Sequence, residues 1–188
     1  MSDRTSTEAA SNEASDGLLR LHIGGTEPRE GWKILNIQPG PHVDFVGNCT
    51  CLGQFDDNSV AEVYASHVYE HLGFQQELPA ALKEVHRVLR PGGVFHIGVP
   101  DMEILSKLLL HPQLTTQERF QVIKMMFGGQ LDPYDFHRVG LTWEFLTGFL
   151  RAAGFQRATR VQFFGLFDDY TAFQFKGVFI SLNADAVK

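Results

Sequence analysis

Cysteine is scarce in this chain of 188 residues: there are two, Cys49 and Cys51, one residue apart. That spacing suits neither a covalent staple nor a metal site, so no disulfide framework is expected and a reducing, cytoplasmic setting is the natural reading. Basic charge is short as well. Sixteen Lys and Arg stand against 22 Asp and Glu, a net charge of −6, the wrong sign for neutralising phosphates, so no nucleic-acid partner is expected. No run approaches the ~18 uninterrupted apolar residues of a membrane helix, so no membrane span is expected either. Repeats are absent at every period. Residues 1–17 contain no apolar side chain larger than alanine apart from Met1. They offer no apolar stretch of a secretion leader and too little to bury to offset their own ordering entropy. They are expected to form a disordered tail, with order beginning at Leu18.

Aromatics, by contrast, are plentiful and lopsided: phenylalanine supplies 16, against four Tyr and two Trp. With 44% hydrophobic residues this is enough for one substantial core, and the length suits a single domain over 18–188. Short β-like runs alternate with helical ones. Strands are expected at Leu18–Ile23, Lys33–Ile37, Val43–Val46, Glu62–Ala65 and Val94–Val99. Leu78, Leu82, Val85 and Leu89 recur at spacings of a helix ending near Arg90, with Pro79 in its first turn and Pro91-Gly92-Gly93 as the stop. Residues 102–140 read as a helical insertion or lid, in which Thr115 and Glu118 form a capping-box pair. A further helix starts at Thr142 and ends at Gly154. Two strands, near Thr159–Phe164 and Gly177–Leu182, close the chain. Alternation of this kind means an α/β fold with a mainly parallel sheet, and the helix-free closing pair suggests an antiparallel edge. The link from Gly25 to Trp32 is seven steps, at most about 23 Å. A parallel return takes about a dozen residues, so the first crossover helix is expected to be missing.

LHIGG (21–25), DNSVAEVYASHVYEHL (57–72), EVHRVLRPGG (84–93) and the VPD that ends a strand (99–101) together resemble class I S-adenosylmethionine-dependent methyltransferases. GWKILNIQPGP (31–41), FGGQLDPYDFH (127–137) and FISLNADAVK (179–188) are similar to a short, type 11-like bacterial branch of predicted methyltransferases. The resemblance runs from Leu18 to the C-terminus. It implies a Rossmann-like sheet, S-adenosyl-L-methionine as cofactor, and methyl transfer to a small-molecule acceptor related to sugars or cell-surface polysaccharide. Ligands of open α/β sheets sit beyond the carboxyl ends of the strands. The resemblance therefore places Gly24 and Gly25 against the cofactor's methionine part, Asn36 and Ile37 at the ribose, Asn48 and Cys49 at the adenine, and Ser66 near the methyl group. His67 and His137 are the candidate proton-handling residues, with Glu70, His71, Tyr134 and Asp135 on the acceptor side.

Two rival readings use the same residues. Asn36 and Asn48 stand where the family carries carboxylates, Thr26 replaces a glycine and the first crossover is stripped. These features favour a non-catalytic binding or assembly module of the same fold. His67-Val68-Tyr69-Glu70-His71 also matches H-x-x-E-H, in which two histidines one turn apart bind zinc. Here a strand runs straight into the motif and no third ligand is evident, so no metal is expected and a zinc hydrolase ranks last. The aromatics from Phe163 to Phe175 cover either an apolar acceptor or the interface of a homodimer. Trp32 and Trp143 read as core anchors. His22, His42, His86, His96 and His111 read as structural or exposed.

Overall fold

The computed structural model describes residues 19–188, so the expected tail at 1–17 lies outside the described residues. Strands β1 (Leu19–Ile23), β2 (Lys33–Asn36), β3 (Phe45–Val46) and β4 (Val60–Ser66) come first. Helix α1 (Glu77–Val88), β5 (Leu89–Pro100) and helices α2 (Met102–Leu109), α3 (Thr116–Phe127) and α4 (Trp143–Ala153) follow. Strands β6 (Arg157–Val161), β7 (Gln174–Phe175), β8 (Val178–Phe179) and β9 (Ser181–Val187) close the chain. Seven strands form one sheet in the order β3-β2-β1-β4-β5-β9-β6. β1 to β5 pair in parallel, and β9 lies antiparallel between β5 and β6.

The first crossover is helix-free, as its length requires. So are residues 37–44 and 47–59, a thinning that the sequence reading does not anticipate. Arg87 of α1 holds the last of these segments. Its guanidinium forks onto both oxygens of Glu84 at 2.8 and 2.9 Å and donates to Asp57 and to the carbonyls of Leu52 and Phe55. Glu84 in turn accepts from the Leu52 amide at 2.7 Å. The EVHR segment is therefore a clamp that satisfies loop backbone where a helix would satisfy its own.

One stripe of α1 (Leu78, Ala81, Leu82, Val85 and Val88) is buried against the sheet. The chain turns extended at once, at Leu89. Pro91-Gly92-Gly93 therefore does not stop the helix but kinks β5, with Gly92 at φ +75°, a region glycine enters freely. The kink exchanges backbone hydrogen bonds with the C-terminal Lys188. The capping box at Thr115 and Glu118 is present. α2 and α3 close a small second core of Leu105, Leu108, Leu114, Val122 and Ile180. The expected helical insertion is helical only to Phe127. Gly128 caps that helix at φ +85°, and carbonyl and Asp-turn hydrogen bonds shape an irregular loop beyond it.

The closing strands depart from expectation. β6 starts two residues early, and Gly177–Leu182 is not one strand. Lys176 and Gly177 both take positive φ, which makes the two-residue turn of the hairpin β7–β8. The long closing strand is Ser181–Val187. The aromatic segment lies over the sheet face opposite α1 and α4. Phe167 packs on His22, Tyr64 and Trp32 with ring centroids 4.1, 4.6 and 5.4 Å away, and Phe164 packs on Tyr64 and His96. Arg29 sits over the Phe167 ring and donates to the Leu166 carbonyl. These phenylalanines replace missing helix; Tyr170 and Phe173, further along, reach a cavity described next.

Candidate functional site

Two cavities open at the carboxyl ends of the central strands. The first, about 360 Å³, lies beyond β1, β2 and β3, and its wall includes Ile23, Gly24, Leu35, Asn36, Ile37, Gln38, Asn48 and Cys49. Gly24 turns the chain at φ +80°, and a Cβ there would come within 2.4 Å of the Val68 side chain. Only a bare backbone fits. The Asn36 amide donates to the Gly25 carbonyl and its oxygen accepts from the Gln38 amide, both at 3.0 Å. A primary amide has two donors and two lone pairs, so one of each is left toward the cavity, a match for two vicinal hydroxyls. Asn48 accepts from the Thr50 amide, which leaves its NH2 group as donor. Burial pushes the Cys49 thiol up to about 12, so Cys49 acts as an apolar wall rather than a nucleophile. Volume, glycine turn, apolar walls and two amides fit a nucleoside-sized cofactor.

The second cavity, about 540 Å³, is lined by Ser66, His67, Glu70, His71, Lys124, Asp135, His137, Tyr170 and Phe173 among others. His67 ends β4 at φ +53°, a left-handed conformation that histidine tolerates better than most residues. Its amide donates to the Gly98 carbonyl at 2.8 Å. Ser181 Oγ donates to the Tyr170 carbonyl, so its lone pair takes the Nε2–H of His67 at 2.8 Å. His67 Nδ1 then lies 3.2 Å from Glu70 Oε1. That distance suits an ion pair but the alignment does not suit a hydrogen bond, and neither oxygen of this fully buried carboxyl has a hydrogen-bond partner. Burial pushes the Glu70 carboxyl up, but the facing imidazoles of His67, His71 and His137 outweigh it and hold the group below the usual carboxylate range. His137 Nε2 is 3.9 Å from the same oxygen. Burial pushes this imidazole down, against the pull of Glu70.

Sequence position thus gathers Gly24, Asn36, Ile37, Asn48 and Cys49 on the first cavity, and His67, Glu70, His71, Asp135 and His137 on the second. Three placements differ. Gly25 is buried against the His22 ring and does not line the first cavity, so only Gly24 presents backbone. Ser66, the last residue of β4, opens on the second cavity. Tyr134 lines the first cavity with Pro133 and Phe136, so the loop after α3 spans both. Asp135 also builds that loop, accepting from the amides of Gly129 and Leu131. Sequence reasoning missed Glu77 and Arg138, an ion pair at 3.2 Å on the rim. The acidic first residue of α1 is a signal for Glu77; for Arg138 there is none short of the fold.

Residues 29–97 match the methyltransferase domain family. Among solved structures, a SAM-dependent methyltransferase from Archaeoglobus fulgidus is similar at 16% identity, covering 92% of this chain and 87% of that one with a TM-score of 0.56. The 1,6-didemethyltoxoflavin-N1-methyltransferase of Burkholderia thailandensis, solved with 1,6-didemethyltoxoflavin and S-adenosylhomocysteine bound, is similar at 15% identity. It covers 91% of this chain and 71% of that one with a TM-score of 0.54. No curated protein matches. Residues 29–97 are thus similar to the methyltransferase domain family, and the fold of the chain is the one shared by these solved S-adenosylmethionine-dependent methyltransferases.

Proposed function

We propose that the chain transfers a methyl group from S-adenosylmethionine to a small hydroxylated acceptor, with the cofactor in the first cavity and the acceptor in the second. One observation carries this reading: His71 lines both cavities, so the two sites share a wall at the end of β4. When bound, the cofactor supplies an electrophilic sulfonium methyl. The residues of the chain contribute alignment and proton handling. Gly24 presents bare backbone to the methionine part, and Asn36 and Asn48 hold and orient the nucleoside end. His67 is engaged at both ring nitrogens, which makes it a positioning group for Glu70. His137, kept neutral by burial, has a nitrogen free to take a proton from an acceptor hydroxyl. Gln121 and Lys124 on the far wall suit the remaining hydroxyls of a sugar.

Calorimetry with S-adenosylmethionine and its demethylated product tests this reading. Micromolar binding supports it. Silence up to millimolar overturns it in favour of a non-catalytic binding or assembly module, the reading favoured by the two hydrogen bonds that already occupy Asn36.

A further inference from the structure

Glu70 poses a question that methyl transfer does not answer. Its carboxyl is buried, both oxygens lack a hydrogen-bond partner, and two further nitrogen ligands converge on it. A buried carboxylate left bare is costly and persists where something compensates it. His67 alone, out of line at 3.2 Å, is a partial answer.

The neighbouring imidazoles supply the rest. One donor atom each of Glu70, His71 and His137 lies within 4.8 Å of the others. His71 Nδ1 is 3.2 Å from the Phe136 carbonyl, which can only accept, so that nitrogen carries the proton and Nε2 keeps its lone pair. Imidazoles that pass their second N–H to a backbone carbonyl are oriented as metal-bound histidines are. The His71 and His137 rings meet edge to face, 4.8 Å apart, as two ligands of one ion can.

We infer that Glu70, His71 and His137 form a binding site for a divalent transition metal of the zinc class, with its open position toward the acceptor cavity. Two imidazoles and one carboxylate suit zinc or cobalt rather than magnesium or calcium, which prefer oxygen donors. Bonds of about 2.1 Å around a tetrahedral ion put ligand atoms roughly 3.4 Å apart. The His137–Glu70 pair at 3.9 Å is close to that, and side-chain rotations that move the ligand atoms by about 1.4 Å close the widest gap of 4.8 Å. The third ligand that the H-x-x-E-H segment lacks comes from 66 residues downstream. His67 is not part of the set, because its Nε2–H is committed to Ser181. A role for the ion in holding an acceptor oxygen rests on the function proposed above; the ion site itself does not. The His137 lone pair serves either as proton acceptor or as ligand, so zinc loading removes its titration from any pH–rate profile.

The experiment loads the full chain with zinc(II), and separately cobalt(II), desalts it and measures metal per chain together with the thermal shift. One ion per chain with a higher melting temperature is expected. His71→Gln and His137→Gln each lose both, while His67→Asn, which tolerates the left-handed backbone, keeps the ion. The melting temperature of each variant without metal shows whether it is folded. No retained zinc or cobalt in a folded wild-type chain overturns the site. Loss in His67→Asn with retention in His137→Gln overturns it too, in favour of the His67–His71 pair. Binding of S-adenosylmethionine is read at the other cavity, so the two readings fail separately.

Discussion

The two faces of the sheet solve one problem by different chemistry. Under α1 and α4 the face is aliphatic or aromatic: Val63, Ala65, Phe95, Ile97, Leu182, Ala184 and Ala186 are all buried in one core. The opposite face carries His22, Tyr64, His96 and Asn183. A helix satisfies its own backbone, so the sheet beneath it needs no donors. The strap over the second face has no helix among its first residues and must find donors below. Asn183 Nδ2 donates to the carbonyls of Gln162 and Thr171 at 2.7 and 2.9 Å, and the Tyr64 hydroxyl donates to Asp169 at 2.5 Å. Losing crossover helices thus moves polar groups into the sheet itself.

If that contrast is right, the helical face carries the larger share of stability. Leu82 is fully buried on α1, and Leu82→Ala is expected to cost about 3–4 kcal/mol, transfer plus cavity. Chemical denaturation at pH 7 reads the loss. A cost below about 1.5 kcal/mol would mean that the face collapses readily and the contrast is overstated.

The polar face makes its own prediction in acid. Burial pushes the His22 imidazole down to about 4, with Asp169 pulling weakly the other way, and His22 Nδ1 has no partner. The unfolded chain takes up this proton near pH 6.5 and the folded chain near pH 4. The stability His22 contributes as a neutral ring is complete above 6.5 and falls as pH drops through that window, by about 3 kcal/mol in all. His22→Phe keeps the ring between Tyr64 and Phe167 and removes the proton. Urea unfolding at pH 7 and pH 4.5 is expected to show the variant gaining on the wild type in acid only; parallel pH profiles would refute the assignment.

Phe167→Ala probes the strap directly. The ring is half-buried on His22, Trp32 and Tyr64, so a cost of about 1.5–2 kcal/mol is expected, below that of Leu82→Ala. Binding in the first cavity is expected to stay unchanged, because no residue of the strap lines it. A parallel loss of cofactor affinity would show that the two faces are coupled.

Sequence pattern revealed the helices, most strand positions and the missing first crossover because each has a local cause: the stripe Leu78–Val85, the capping pair at Thr115, a link too short for a helix. It did not reveal that Phe164 and Phe167 fold back on β1 and β4, since aromatic spacing says nothing about which surface is bare. The site divides along the same line. Gly24, Asn36 and Asn48 follow from strand ends and could be read. The meeting of Glu70 with His137 depends on how the loop after α3 lies, held by amides of Arg138 and Val139 on the Glu70 carbonyl, and no local pattern encodes that. The Gly177–Leu182 run misled because its apolar letters continue past Ile180, where the chain leaves the hairpin β7–β8 and enters the main sheet as β9.

The smallest effect is expected at Asn36, where the two demands on one side chain nearly cancel. A carboxylate facing ribose hydroxyls makes charge-assisted hydrogen bonds, roughly twice as strong as those of an amide, a gain of about 1 kcal/mol in cofactor binding. But the Asn36 amide also donates to the Gly25 carbonyl at 3.0 Å, and that bond fixes the glycine turn against β2. Asn36→Asp loses the donor and sets a negative oxygen beside a carbonyl oxygen, at a cost of about 1–2 kcal/mol in stability. A turn held less firmly returns part of that cost on binding. S-adenosylmethionine affinity is therefore expected to stay within about threefold of wild type while the melting temperature falls. Tighter binding at unchanged melting temperature would show that the turn needs no help from Asn36. Binding lost altogether would show that the Gly25 contact, rather than the ribose, is what this residue chiefly serves.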